Sequence, residues 1–296
     1  MYVITGASGH TGKNIAHHLL DAGKQVKVIS RSAANVADLV QKGAVTAIGD
    51  LQDTYFLTEA FRGATAVYTM IPPNFGAPDW RIYIVQTAFS IASAVRASKV
   101  QYVVNLSSQG AHLPEGAGPV SGLFYMEQML NSIPNLRVKH LRPGFFMENF
   151  LAYAGMMKHM DIMGTSLKSD LRMPYVHTND IGSVGASTLL SLDFEGHSVQ
   201  FIHGAADLTM AEATAIIGKA IGKPNLPYIV FSREDELQGG LQNGLPLTIA
   251  EGYGELWNAI NFLPYQAGGE RNANTTTPTT LEWFAENEFK QAIEQM

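Results

Sequence analysis

Three glycines, Gly6, Gly9 and Gly12, spaced G-x-x-G-x-x-G with Ser8, His10 and Thr11 among them, stand between two different patterns. Before them runs the β-branched stretch Val3-Ile4-Thr5. After them Ile15, Ala16, Leu19 and Leu20 recur on one face of a helix. The chemistry of a strand, a glycine turn and a helix N-terminus is anion binding, because backbone N–H groups and the positive end of the helix dipole converge where a pyrophosphate can sit. Gly6 permits the turn, Gly9 close approach of the phosphates, and Gly12 close packing of helix on strand. Two rival motifs fail. A Walker A loop ending at Gly12-Lys13 needs glycine where Ala7 stands and Ser or Thr where Asn14 stands. A nucleophile elbow built on Ser8 needs glycine where His10 stands. A βα turn that binds nothing is the remaining alternative.

Arg31 bears on which dinucleotide the turn would hold. A carboxylate at the end of the second strand binds a ribose diol and favours NAD. Here Ser30 occupies that position and a guanidinium follows, which pairs with a 2′-phosphate, so NADP is expected over NAD. Asp50, after the third strand, would sit near the adenine or cap the next helix together with Asp53. His10 could lean on the pyrophosphate. No metal site is expected: no H-x-x-x-H or H-E-x-x-H spacing occurs, and the neighbours His17 and His18 point to different parts of a helix surface. The run Gly144 to Met163 is rich in Phe, Tyr and Met. Such a stripe is core in most proteins; after a strand's carboxyl end it also suits an apolar slot for a flat aromatic or quinone-like acceptor.

These residues need positioning elements, and the chain supplies them alternately. Strands are predicted at 3–5, 25–30, 45–48, 66–70 and 101–106, with helices near 33–42, 53–63 and 79–98 between them, then a helix near 121–132 and a strand at 137–141. That rhythm implies right-handed crossovers and a parallel sheet in the order 3-2-1-4-5-6. Asn179 is expected to cap a helix, 198–203 to form a seventh strand returning to the sheet, and Thr209-x-x-Glu212 to form a capping box. Beyond it the order loosens, with a strand at 228–231 and helices near Ser232, Pro246 and Thr279. The expected fold is therefore α/β, a Rossmann-type doubly wound parallel sheet with a small, mostly helical C-terminal lobe. Its domains are 1–150, a dinucleotide-binding core with the return strand near 198–203, and 151–296, mainly the substrate side.

Composition narrows the class. The 296 residues are 46% hydrophobic and 16% charged, as an ordered globular chain requires. A net charge of −6 with no Lys/Arg run argues against a nucleic-acid partner. The absence of cysteine excludes disulfides, a thiol nucleophile and an iron–sulfur cluster, and fits a cytoplasmic protein. With the first strand read from the opening methionine, no signal peptide is expected. No apolar run approaches the roughly 18–20 residues that span a bilayer, so no membrane association is expected.

With the glycine turn, Arg31, Gly49-Asp50, Asn105-Leu106-Ser107-Ser108, the segment Leu141-Arg142-Pro143-Gly144-Phe145-Phe146-Met147-Glu148-Asn149 and Val176-His177-Thr178-Asn179-Asp180-Ile181 all in order, the chain resembles the NmrA-like family of atypical short-chain dehydrogenases/reductases. The resemblance implies NADP(H) at the glycine turn, Arg31 on the 2′-phosphate, Asp50 and Leu51 at the adenine, and Ile71, Pro72 and Ser107 on the nicotinamide side. Members of the family reduce quinones, azo or triphenylmethane dyes or benzylic ethers; others are redox sensors that bind NADP and control a partner protein. The Tyr-x-x-x-Lys of short-chain reductases is absent, since Tyr125 is followed four residues later by Met129. The expected function is an NADPH-dependent reductase of a flat apolar acceptor, with Tyr125 a weak candidate proton donor and Phe145, Phe146 and Asn149 the substrate wall. The alternative is a non-catalytic NADP(H) sensor that binds a regulatory protein partner.

Overall fold

The computed structural model describes residues 1–267 and 269–296. In chain order the first elements are β1 (Tyr2–Ile4), α1 (His10–Asp21), β2 (Val26–Ser30), α2 (Ala37–Gln41), β3 (Val45–Ile48), α3 (Thr54–Phe61), β4 (Ala66–Thr69), α4 (Trp80–Ser98), β5 (Tyr102–Leu106), α5 (Pro119–Asn131) and β6 (Arg137–Pro143). Then follow β7 (Phe145–Phe146), α6 (Ala154–His159), β8 (Met163–Thr165), β9 (Met173–Val176), α7 (Thr178–Ser191), β10 (His197–Ile202), β11 (Asp207–Leu208), α8 (Met210–Ala220), β12 (Tyr228–Val230), α9 (Arg233–Gln242) and α10 (Leu247–Phe262). A C-terminal helix runs from Leu281 to Glu294 and widens to π geometry over Ala285–Phe289. Among the described residues no helix is long and apolar enough to cross a membrane.

Chain contacts divide the molecule into two compact units. The first comprises 1–114, 119–142 and 181–200; the second comprises 115–118, 143–180 and 201–296. The first holds a sheet in the order β10-β6-β5-β4-β1-β2-β3, the expected order with the return strand added beyond β6. Strands β1 to β6 pair in parallel throughout. Strands covered on both faces read as unbroken apolar runs, and every residue of β1 and β4 is buried. The edge strand β3 instead leaves Val45 and Ile48 about half exposed. Between sheet and helices Leu57 and Phe61 of α3, Ile91 and Val95 of α4, and Met126 and Leu130 of α5 pack on Val67, Val103 and Val138.

Capping explains several helix starts. Asp53 accepts from the Phe56 N–H (2.9 Å) and Asp79 from the N–H groups of Arg81 and Ile82, so each carboxylate satisfies donors that the first turn leaves unpaired. Thr209 and Glu212 form the expected capping box. Two local expectations need correction. Asn179 does not cap α7: the helix begins at Thr178, and the Asn179 N–H donates to Nδ1 of His177 (3.1 Å), which does the capping. The helix expected at 33–42 is a 3-10 turn at Ala34–Val36 broken from a short α2 by the non-helical Val36 (φ −128°).

In the second unit the strand expected at 228–231 is β12, while β7, β8, β9 and β11 have no counterpart in the sequence reading. A three-stranded sheet orders β11-β9-β7, and β12 pairs with β8 in parallel.

A buried polar ladder crosses the main sheet. The Thr69 hydroxyl donates to Oδ1 of Asn105 (2.9 Å), which turns the Asn105 amide N–H toward Nδ1 of His140 (3.1 Å). The ring proton therefore sits on Nε2 and meets Oδ1 of Asn131 (2.9 Å). Burial holds the His140 pKa down to about 4. The unfolded chain takes up this proton first, so the stabilisation is complete above the ordinary histidine range and is lost as pH falls from about 6.5 toward 4. The loss reaches at most about 3 kcal/mol. Urea unfolding at pH 7.5 and pH 5 measures it, and His140→Gln should shrink the difference between the two; an unchanged difference would remove His140 as its source.

Candidate functional site

Because β1 to β5 run parallel, the residues after their carboxyl ends collect along one edge of the sheet in the first unit: Gly6, Arg31, Asp50 and Leu51, Ile71 and Pro72, and Ser107. β1 has β2 on one side and β4 on the other, so the strand order reverses there, the position where open α/β sheets leave a crevice for ligands.

The glycine turn divides its labour. Gly6 has φ +62°, a left-handed conformation that side chains disfavour. A Cβ on Gly12 would lie 2.8 Å from the Gly6 carbonyl carbon, nearer still to its oxygen, and 3.0 Å from the Thr5 oxygen. Gly12 is thus required by the fold. Gly9 differs, since a Cβ there would meet only the Gly6 oxygen, at 3.4 Å. Packing inside the chain therefore leaves room for a side chain at Gly9. Gly9 is also the N-cap of α1, and no side chain caps this helix. Ser8, Gly9 and His10 are exposed, whereas Thr11 is buried and accepts from the Tyr68 hydroxyl at 3.1 Å. An uncapped, exposed N-terminus without an acidic residue in its first turn fits an anion.

Arg31 is exposed, and no described residue makes a hydrogen bond or ion pair to its guanidinium. The loop beneath it is fixed: the Ser30 hydroxyl donates to the Ser32 carbonyl (2.8 Å) and accepts from the Ser32 N–H (3.2 Å). Arg31 and Asp50 both act on the Tyr83 phenol, whose pKa burial raises, so cation and carboxylate face the same region. Asp50 accepts from the Gln52 N–H (2.8 Å) and closes a turn, leaving the helix cap to Asp53 alone. Leu51, Ile71 and Pro72 are half-buried, with Leu51 and Ile71 packed on the core.

Ser107 is buried, and its hydroxyl donates to Oε1 of Glu127 at 2.5 Å. Arg142, at the end of β6, grips the same carboxylate with two bonds, Nε to Oε1 (2.9 Å) and Nη2 to Oε2 (2.6 Å). The sequence reading assigned neither Glu127 nor Arg142. Their signal was a charge amid apolar neighbours, Glu127 after Met126 and Arg142 after Leu141. Gln109 was missed too; it is buried and its amide nitrogen has no partner among the described residues. Tyr125, on the other face of α5 from Glu127, is 44% exposed, with its ring edge-on to Phe124.

In the second unit β7 carries Phe145 and Phe146 beside Tyr175 and Val176 of β9. The Phe145 ring contacts Phe150, Tyr175 and Trp257 at centroid distances of 5.6–6.3 Å. Of the Gly144–Met163 stripe, Met147, Phe150, Met157 and Met163 are core, Phe145, Phe146, Tyr153 and Met156 are half-buried, and Asn149 and Met160 are exposed. Glu148, His177 and Glu288 bring ligand-type atoms within 4.8 Å of one another. Nδ1 of His177 already accepts the Asn179 N–H, so the neutral ring carries its proton on Nε2, facing Glu288 (3.1 Å). A metal on Nε2 would move that proton to Nδ1, against the N–H. Glu148 in turn accepts from both the N–H (2.9 Å) and the hydroxyl of Thr178. The donor pattern is that of a hydrogen-bonded clasp.

Comparison with known proteins places the chain in a family. The model of the NmrA-like family matches residues 2–251. The NAD(P)H azoreductase of Xenophilus azovorans is 25% identical over 286 residues, 97% of this chain and 96% of its own. The NADPH-dependent quinone oxidoreductase of Escherichia coli, solved with NADPH, superposes with a TM-score of 0.82 at 21% identity, covering 98% of this chain and 100% of its own. NmrA, a negative transcriptional regulator solved with NADP, gives 0.72 at 16% identity over 99% and 97% of the two chains.

Proposed function

From the chain's place in the NmrA-like family, to which it belongs, we propose that it is an NADPH-dependent reductase of a flat, apolar, electron-poor acceptor such as a quinone or an azo or triphenylmethane dye. The observation that carries the reading is a glycine turn without a side-chain cap beside an Arg31 that is unpaired among the described residues, on one edge of the sheet. NADPH supplies a hydride when bound. The chain's own residues do the rest: the first-turn amides of His10, Thr11 and Gly12 bind the diphosphate, with the Gly9 N–H turned inward onto the Gly6 carbonyl (2.9 Å), Arg31 binds the 2′-phosphate, Asp50 and Leu51 flank the adenine, and Ile71, Pro72 and Ser107 flank the nicotinamide. Phe145, Phe146 and Asn149 are assigned to the acceptor and Tyr125 to weak proton donation. Acceptors of this class are reduced by positioning, with water able to supply the proton. The relatives named as azoreductase and quinone oxidoreductase support the acceptor class, and a cytoplasmic location goes with this reading.

The test is NADPH consumption with a panel of quinones and dyes; turnover with at least one is expected, and background rates with all of them would count against a reductase. Arg31→Ala should weaken NADP(H) binding by about 1.5–3 kcal/mol and leave NAD(H) nearly unchanged, because only the former carries the 2′-phosphate. An unaltered NADP/NAD ratio in calorimetry would remove Arg31 from the account.

The missing Tyr-x-x-x-Lys favours a second reading, a cofactor sensor that controls a protein partner. It requires that the partner bind the NADP and NADPH forms unequally, since a ligand without preference shifts nothing. Equal partner affinity in both forms refutes it.

A further inference from the structure

The hydroxyl of Ser107 has a defined polarity. Its hydrogen-bond partner Glu127 is held by Arg142 through two bonds, and a carboxylate clamped by a guanidinium has no proton to offer. The 2.5 Å contact is therefore Ser107 Oγ–H donating to Glu127 Oε1. A serine has one proton and two lone pairs. With the proton committed inward, Ser107 offers any ligand an acceptor only, and it cannot donate to a substrate carbonyl. Glu127 and Arg142 are themselves almost fully enclosed, with side chains 3% and 12% exposed, so water does not compete freely for the arrangement.

We infer that Ser107 reads the nicotinamide carboxamide as a hydrogen-bond acceptor from its NH2 group, and that Glu127, locked by Arg142, is the positioning residue that sets this polarity. The inference rests on the cofactor reading above and adds a specificity to it. A nicotinamide keeps its amide donor in both oxidation states, so the contact holds NADP and NADPH alike. A nucleotide whose carboxamide nitrogen is replaced by a methyl group loses it.

The experiment compares NADP with its 3-acetylpyridine analogue, which differs at that one group, by calorimetry on the whole protein. The 2′,5′-diphosphate of adenosine, which lacks the nicotinamide, is the control. The wild type should bind NADP about tenfold more tightly than the analogue, the worth of one hydrogen bond. Ser107→Ala should bind both with the analogue's affinity and the control as the wild type does. The double replacement Glu127→Met/Arg142→Met, which removes the acceptor that holds the Ser107 proton inward and frees it to turn toward the analogue's carbonyl, should narrow the preference while keeping affinity for the control; a purely structural role for the pair would weaken all three ligands together. Equal affinity of the wild type for NADP and the analogue overturns the inference while leaving the cofactor reading intact, as does a preference that survives Ser107→Ala. Absence of binding by either dinucleotide overturns the cofactor reading, and this inference with it.

Discussion

Arg142→Ala should lower the unfolding free energy by about 3–5 kcal/mol, the cost of leaving a buried carboxylate without its cation. Glu127 is 2% exposed and gives its two oxygens to Arg142, with the Ser107 hydroxyl as its other donor. Removing the guanidinium takes away two charge-assisted bonds from a group that water cannot reach. The double replacement Glu127→Met/Arg142→Met is the informative control. It deletes the charge together with its partner, so it should recover most of the lost stability. Urea unfolding of the three proteins decides the matter. A loss below about 1 kcal/mol for Arg142→Ala would mean that the pair behaves as a solvated surface bridge.

Gly12→Ala and Gly9→Ala should separate folding from binding. The Cβ at residue 12 runs into backbone, the Gly6 carbonyl and the Thr5 oxygen, and no rotamer change relieves it. The helix must shift from the strand, at about 1–3 kcal/mol, and the amides of the turn move with it. Nucleotide affinity should fall roughly a hundredfold, because several hydrogen bonds lose their geometry at once. At residue 9 the single neighbour is 3.4 Å away, so stability should change by less than about 1 kcal/mol while affinity falls through the methyl group in the path of the phosphates. Thermal unfolding paired with calorimetry reads both. A Gly9→Ala protein that binds NADP(H) normally would show that no phosphate approaches there.

Local patterns carried the sheet. β1, β3 and β5 announce themselves as short apolar runs closed by Gly6, Gly49 or Ser107, and strand–helix alternation then restricts the order to the one found. Of the strands of the second unit only β12 was legible, as the β-branched and aromatic run at 228–231. β7 and β11 are two residues long and β8 three, too short for any period to emerge, and their pairing spans long separations, as when β8 meets β12. The C-terminal π turn that carries Glu288 toward His177 has no signature in sequence. At the site the glycine turn and Arg31 could be read because their spacing is itself the mechanism. The Ser107–Glu127–Arg142 unit could not, since three separate elements supply one residue each. Asn179 misled for a related reason: it is a good capping residue by type, but His177 already accepts its N–H.

The central claim is that the amides of the turn grip a diphosphate while Arg31 selects the phosphorylated ribose. Isothermal titration of the purified protein with NADP, NADPH, NAD and NADH tests it most directly. Saturable heat with both phosphorylated nucleotides, and at least about tenfold weaker binding of NAD and NADH, is the expected result. No heat with any of the four, or equal affinity for the two pairs, would contradict it.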